Sequence, residues 1–113
     1  MERNILGVDI GGTKCAVTYG RKQGDRLQIV DKVRFATSGV NETIGEILES
    51  IAALMQRHGL DASNTGAVGI SCGGPLDSRT GVVMSPPNLP GWDNIPIVKT
   101  ISDRFSVRTG IHN

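Results

Sequence analysis

Leu6-Gly7-Val8-Asp9-Ile10-Gly11-Gly12-Thr13-Lys14 is the stretch on which the reading of this sequence turns. Its first half belongs to the apolar, β-branched run Ile5 to Ile10, which predicts a short buried strand. Two adjacent glycines end that run. There the backbone can turn sharply and bring N–H groups against an anion without interference from a β-carbon. Asp9, at the strand end, is placed to hold Mg²⁺ through water, because magnesium keeps much of its hydration shell. Thr13 adds a hydroxyl and Lys14 a point charge. A Walker loop would require GxxxxGK[ST] leading into a helix; here Thr precedes Lys, and Cys15 to Tyr19 reads as another strand. Taken alone, a Gly-Gly-Thr turn also suits a plain hairpin whose Asp caps it.

Working outward, Gly20 to Asp25 reads as a polar turn that contains Arg21-Lys22, and Leu27 to Phe35 as a third strand. Three strands joined by short turns predict an antiparallel meander. A helix follows, with Asn41 as N-cap, Glu42 complementing the helix dipole, and Ile44, Ile47, Leu48, Ile51, Leu54 and Met55 as one apolar stripe. Arg57 and His58 suit its C-terminal end, His58 as a solvated residue, and Gly59 is a natural stop. Gly66 to Cys72 is the next buried strand, and Val82 to Met84 a short one. A second helix begins at Pro96, taken as its first helical position, and Val107 to Ile111 forms the last strand. The order β-β-β-α-β-α-β, with a short strand before the second helix, predicts an α/β domain over residues 1–113 with a mixed sheet.

Composition narrows the function. A net charge of +1 with scattered Lys and Arg gives no basic stripe for nucleic acid, and 4% aromatic residues are too few for a base-stacking platform. No run approaches the ~20 apolar residues that span a bilayer, and Glu2-Arg3 leads straight into the first strand without a signal peptide. Cys15 and Cys72 lie far apart with no CxxC, which argues against a metal site built from them and for a reduced, cytoplasmic protein.

The string LGVDIGGTK resembles the first phosphate motif of the sugar kinase, actin and Hsp70 superfamily, and its DIGGTK form resembles the ROK family of repressors and sugar kinases. A second stretch is similar to that family's sugar loop: Gly69-Ile70-Ser71-Cys72-Gly73-Gly74-Pro75-Leu76-Asp77, then Gly81-Val82-Val83, then Pro87-Asn88-Leu89 and Trp92. Gly73 stands where the family usually has proline, a departure that loosens the loop and bears on sugar preference. Gly110-Ile111-His112-Asn113 resembles the start of a third signature, an Asn-Asp pair after a strand, with His112 where the family often has Glu.

The resemblance implies a ribonuclease-H-like, actin-like ATPase fold, the N-terminal half of a two-domain, ATP- and Mg²⁺-dependent kinase for a hexose or N-acetylhexosamine. It implies that Gly11, Gly12, Thr13 and Lys14 bind the ATP phosphates and that Asp9 positions the metal. Gly74, Asn88 and Asn113 then face the sugar, with Leu89 beside Asn88 lining the pocket. An amide both donates and accepts, so Asn88 can bridge neighbouring hydroxyls; organising a Pro-rich turn is its other reading. Trp92 reads as packing. The catalytic base would be residue 114, so residues 1–113 alone are expected to be inactive. A homodimer and a downstream zinc motif are further implications. Gly12→Val is expected to block nucleotide approach.

Two rivals belong to other classes. A ROK transcriptional regulator would sense sugar and carry a DNA-binding domain ahead of Asp9, for which the eight preceding residues leave no room. A ribonuclease-H-like nuclease would need carboxylates clustered for two metals, whereas Asp77 and Asp93 fall in loops.

Overall fold

A computed structural model describes residues 2–112. Five strands form one mixed sheet: β1 (Glu2–Ile10), β2 (Lys14–Gln23), β3 (Arg26–Ala36), β4 (Thr65–Cys72) and, last in the chain, β7 (Thr109–His112). Their spatial order is β3-β2-β1-β4-β7. The meander is antiparallel, while β1–β4 and β4–β7 are parallel. Helix α1 (Val40–Arg57) connects β3 to β4, and α2 (Ile97–Phe105) precedes β7. Between β4 and α2, β5 (Leu76–Asp77) and β6 (Val82–Val83) make a small separate hairpin. The predicted mixed α/β sheet is present, with its meander and its two helices.

Strand alternation puts Leu6, Val8 and Ile10 on the same face as Cys15, Val17, Tyr19, Val68, Ile70, Cys72 and Ile111, all buried. The α1 stripe closes this core, with Ile47, Ile51 and Leu54 each 0% exposed. From α2, Ile97 and Ile101 do the same. The opposite face is open. Gly7, Gly69 and Gly110 lie in register across three strands, and a β-carbon on any of them would meet nothing within 4 Å. No helix among the described residues is long and apolar enough to cross a membrane.

Several boundaries differ from the sequence reading. β2 continues through Arg21 and Lys22 to Gln23, so that only Gly24 and Asp25 turn the hairpin, with Gly24 at φ 60°. Hairpin pairing across Lys22↔Leu27 outweighs the polar composition that suggested a longer turn. Helix α1 starts one residue before Asn41, with Gly39 as N-cap in extended conformation and no side-chain cap bond. Thr43 bonds to the entering chain instead, accepting from the Ser38 N–H at 2.9 Å. Pro96 is the N-cap of α2, not its first helical residue. Val107 is buried ahead of β7 and stays outside the strand.

His58 is not solvated. It follows α1, lies 4.8 Å from the Tyr19 ring, and its Nε2 is 2.8 Å from Asp31 Oδ2 on β3. Arg57 Nη1 donates to the same oxygen at 2.8 Å, so the helix end is tied to the sheet edge. Bonds from His58, Arg57 and the Lys32 N–H hold the Asp31 carboxyl down at about 2, against an ordinary 3.8. A folded value below the unfolded one means that this contribution is complete above pH ~4 and fades as pH falls toward about 2. The melting temperature of Asp31→Asn should therefore lie below that of the parent protein at pH 5, and the gap should narrow as pH falls through about 2. A gap independent of pH would show that the charge is not what holds this contact.

Candidate functional site

The site grows from the end of β1. Ile10 pairs with Cys15 on one side and Cys72 on the other. The chain leaving β1 must therefore reverse within residues 11–14, beside the point where β4 ends. Asp9 is exposed on the open face, in register with Ser71 of β4, which in turn pairs with His112 of β7. The row Asp9–Ser71–His112 thus lies across three strand ends, and all three residues line one groove on the open face. His112 is exposed. Ser71 was singled out only as part of a motif; its place beside Asp9 follows from parallel pairing, which no local pattern announces.

The Gly-Gly turn is tight for identifiable reasons. The Gly11 N–H donates to the Lys14 carbonyl at 3.2 Å. A β-carbon on Gly11 would lie 2.7 Å from that same carbonyl oxygen, so only glycine fits. The amide of Gly11 is thereby consumed inside the turn. Those of Gly12 and Thr13 have no acceptor among the described residues, and both residues are exposed. Lys14, also exposed, opens β2. The turn thus offers two N–H donors and an ammonium group at one end of the sheet, a fitting surface for phosphate oxygens.

Gly12 makes the contact that joins the two motifs. A β-carbon there would lie 2.7 Å from the Asn88 carbonyl oxygen, 3.0 Å from Asn88 Cβ and 3.1 Å from Asn88 Nδ2. Asn88 itself is exposed, on a loop anchored by buried Leu89 and Trp92. That loop is shaped by bonds from Leu89 N–H to the Pro86 carbonyl at 3.0 Å and from Trp92 N–H to the Leu89 carbonyl at 3.2 Å, with Ser85 and Gly91 at positive φ. Leu89 is 2% exposed and serves as an anchor, so it does not line an open pocket; Trp92, 1% exposed, is core. Gly74 lies just beyond β4, half-buried, and is joined to Pro75 by a cis peptide bond. Asn113 lies outside the described residues.

Asp9 is exposed at the strand end and is an oxygen donor of the kind a hydrated Mg²⁺ accepts. Among the described residues no three His, Cys, Asp or Glu gather as a metal-holding group, so the carboxylate cluster that two-metal nucleic-acid cleavage requires is not assembled. Asp77 closes β5 and is occupied by its own turn. Its Oδ1 accepts from the Arg79 N–H at 3.0 Å, and such bonds lower its pKa. Cys72 beside the loop stays a thiol: burial pushes its pKa up, and the neighbouring Cys15 and the charge of Asp9 add to that. Both cysteines are buried and free.

A meander followed by two parallel additions in the order β3-β2-β1-β4-β7, with a Gly-Gly turn between its first two strands, defines the actin-like ATPase fold and places this chain in its N-terminal half. The ROK family pattern matches residues 5–113, and the chain belongs to the ROK family. It is 28% identical over 109 residues to a glucokinase of Thermotoga maritima, a match covering 96% of this chain and 33% of that protein. Among solved structures, a ROK hexokinase from Thermus thermophilus superimposes with TM-score 0.74 at 27% identity, covering 100% of this chain and 35% of that one. A ROK family transcriptional regulator, a homologue of the E. coli MLC protein, superimposes with TM-score 0.81 at 15% identity over 97% of this chain and 27% of its own length. That last likeness speaks for the fold alone. The chain spans about a third of the length of these relatives.

The Gly12–Asn88 contact changes what a substitution there does. A Val at position 12 runs into the Asn88 loop, so it pushes the two loops apart at a cost of roughly 1–3 kcal/mol. Gly12→Val should therefore lower the melting temperature of the protein. An unchanged melting temperature would show that the two loops do not press on each other at this contact.

Proposed function

We propose that the full-length protein transfers the γ-phosphoryl group of Mg·ATP to a hydroxyl of a hexose or N-acetylhexosamine. The observation that carries this reading is the packing of Asn88 on Gly12, which sets an amide suited to a polyol against a turn suited to phosphate. Transfer between two bound groups needs their reacting atoms about 3–3.5 Å apart, and two motifs in contact supply that nearness from the start. The names of the relatives, a glucokinase and a hexokinase, support the same class.

In this reading each residue does one thing. The N–H groups of Gly12 and Thr13 donate to phosphate oxygens, and Gly11 gives the turn its shape. Lys14 adds positive charge, and Asp9 orients the hydrated metal. Magnesium, when bound, neutralises charge on the phosphates during transfer. Asn88 donates to one sugar hydroxyl and accepts from its neighbour; Gly74, and Asn113 at the chain's end, leave room for or contact the ring. Residues 1–113 form the nucleotide- and sugar-facing domain, and a second domain closes over it to exclude water.

The deciding assay is ADP release by the full-length protein with Mg·ATP and glucose, mannose, fructose, N-acetylglucosamine or N-acetylmannosamine. Sugar-dependent release is expected with one of them. Sugar binding without any release would favour a sugar-sensing regulator. Within an active enzyme, Asp9→Ala should lower kcat, whereas Asn88→Ala should raise KM for sugar by the roughly 1–3 kcal/mol of hydrogen bonds lost on binding. An unchanged sugar KM in Asn88→Ala would remove that residue from the site.

A further inference from the structure

We infer that Thr37, which no motif singles out, is the positioning residue of the phosphate turn. It follows β3 and reaches the turn twice. Its hydroxyl donates to the Gly11 carbonyl at 2.7 Å, and its N–H donates to the Thr13 carbonyl at 2.9 Å. The Lys14 carbonyl accepts from the Gly11 N–H. Three carbonyls of a four-residue turn are thereby held by donors of the fold, and the two amides left without an acceptor belong to Gly12 and Thr13. The turn is sorted by polarity. An arriving anion meets N–H groups, while three of the four carbonyl oxygens that would repel it are engaged.

A third member completes the clasp. Cys15 Sγ lies 3.2 Å from Thr37 Oγ1. The hydroxyl has one hydrogen, and that hydrogen points at Gly11, so the thiol is the donor to the hydroxyl oxygen. The chain Cys15 S–H to Thr37 O–H to Gly11 C=O runs from buried core to exposed turn, each bond polarising the next. Thr37 touches the turn and not the phosphate, so its effect on catalysis is indirect. Only its kinetic consequence rests on the kinase reading; the clasp itself does not.

The test compares Thr37→Val, which keeps the shape and the backbone N–H but loses the hydroxyl, with Thr37→Ser, which retains it, both in the full-length protein. Amide hydrogen exchange at Gly11 and at residue 37 should quicken by roughly fivefold in Thr37→Val, the worth of one ordinary hydrogen bond. KM for Mg·ATP should rise by a similar factor with sugar KM within about twofold, and Thr37→Ser should restore both. Unchanged exchange overturns the clasp, and faster exchange with unchanged KM for Mg·ATP overturns the positioning role. Should the parent protein show no sugar-dependent turnover, the kinase reading fails while this one does not. The exchange rates and calorimetric titration with Mg·ATP then decide, weaker binding by Thr37→Val supporting the inference and equal binding overturning it. If Thr37→Val does not fold, Cys15→Ala removes only the thiol donor and should move the same exchange rates in the same direction; no movement overturns the proposal.

Discussion

Ile10 is paired on both sides at once, antiparallel to Cys15 and parallel to Cys72, and the site depends on that double constraint. The first pairing leaves four residues to reverse the chain, which makes the turn tight. The second brings the end of β4 alongside, so the segment Gly73 to Pro75 leaves the sheet from the same end as the turn. A slip of one residue in β1 would rotate Asp9 into the helix-covered core and Val8 onto the open face. Leu6, Val8 and Ile10 are each only 2% exposed, so burial resists that slip strongly.

From this anchor the two halves of the site separate by chain connection and rejoin in space. The Gly-Gly turn is a local product of one hairpin. Asn88 arrives from the far side of a long excursion that includes β5, β6 and a loop tied down by Leu89 and Trp92. The bridge Val83↔Ile95 closes the base of that excursion, with bonds of 2.8 and 2.9 Å between the two residues. Asn88 is thus exposed on a loop whose foundations are buried. This combination lets a polar group meet a ligand without being free to drift.

How much of this could be read beforehand follows from how local each feature is. The Gly-Gly turn, the apolar stripe of α1 and the stop at Gly59 are written in adjacent residues, and they stand where the sequence puts them. Asn41 misleads because a good capping residue two positions too late is indistinguishable, in sequence, from a cap. Gly20 to Asp25 misleads because strand pairing with Gln28, Leu27 and Arg26 carries polar residues into the ladder. His58 meets Asp31 from 27 positions away and Thr37 meets Gly11 from 26, so neither contact has a local signature. The resemblance to the ROK family supplied Asn88 as a sugar residue, but not that it touches Gly12.

Two kinds of glycine divide the site between them. Gly11 and Gly12 are demanded by contact, since a β-carbon on either would fall 2.7 Å from a backbone oxygen. Gly73, which the resemblance sets against a proline, is demanded by nothing: a β-carbon there meets no atom within 4 Å. Its effect lies in the added freedom of the chain between Cys72 and Pro75, which a proline would restrict. Rigidity falls on the turn read as facing phosphate, a group every ATP presents identically. Freedom falls on the loop read as facing sugar, where the partner's stereochemistry varies. The packing leaves no room for a side chain at Gly11 and Gly12 and leaves room for one at Gly73, and that difference is what separates the two loops.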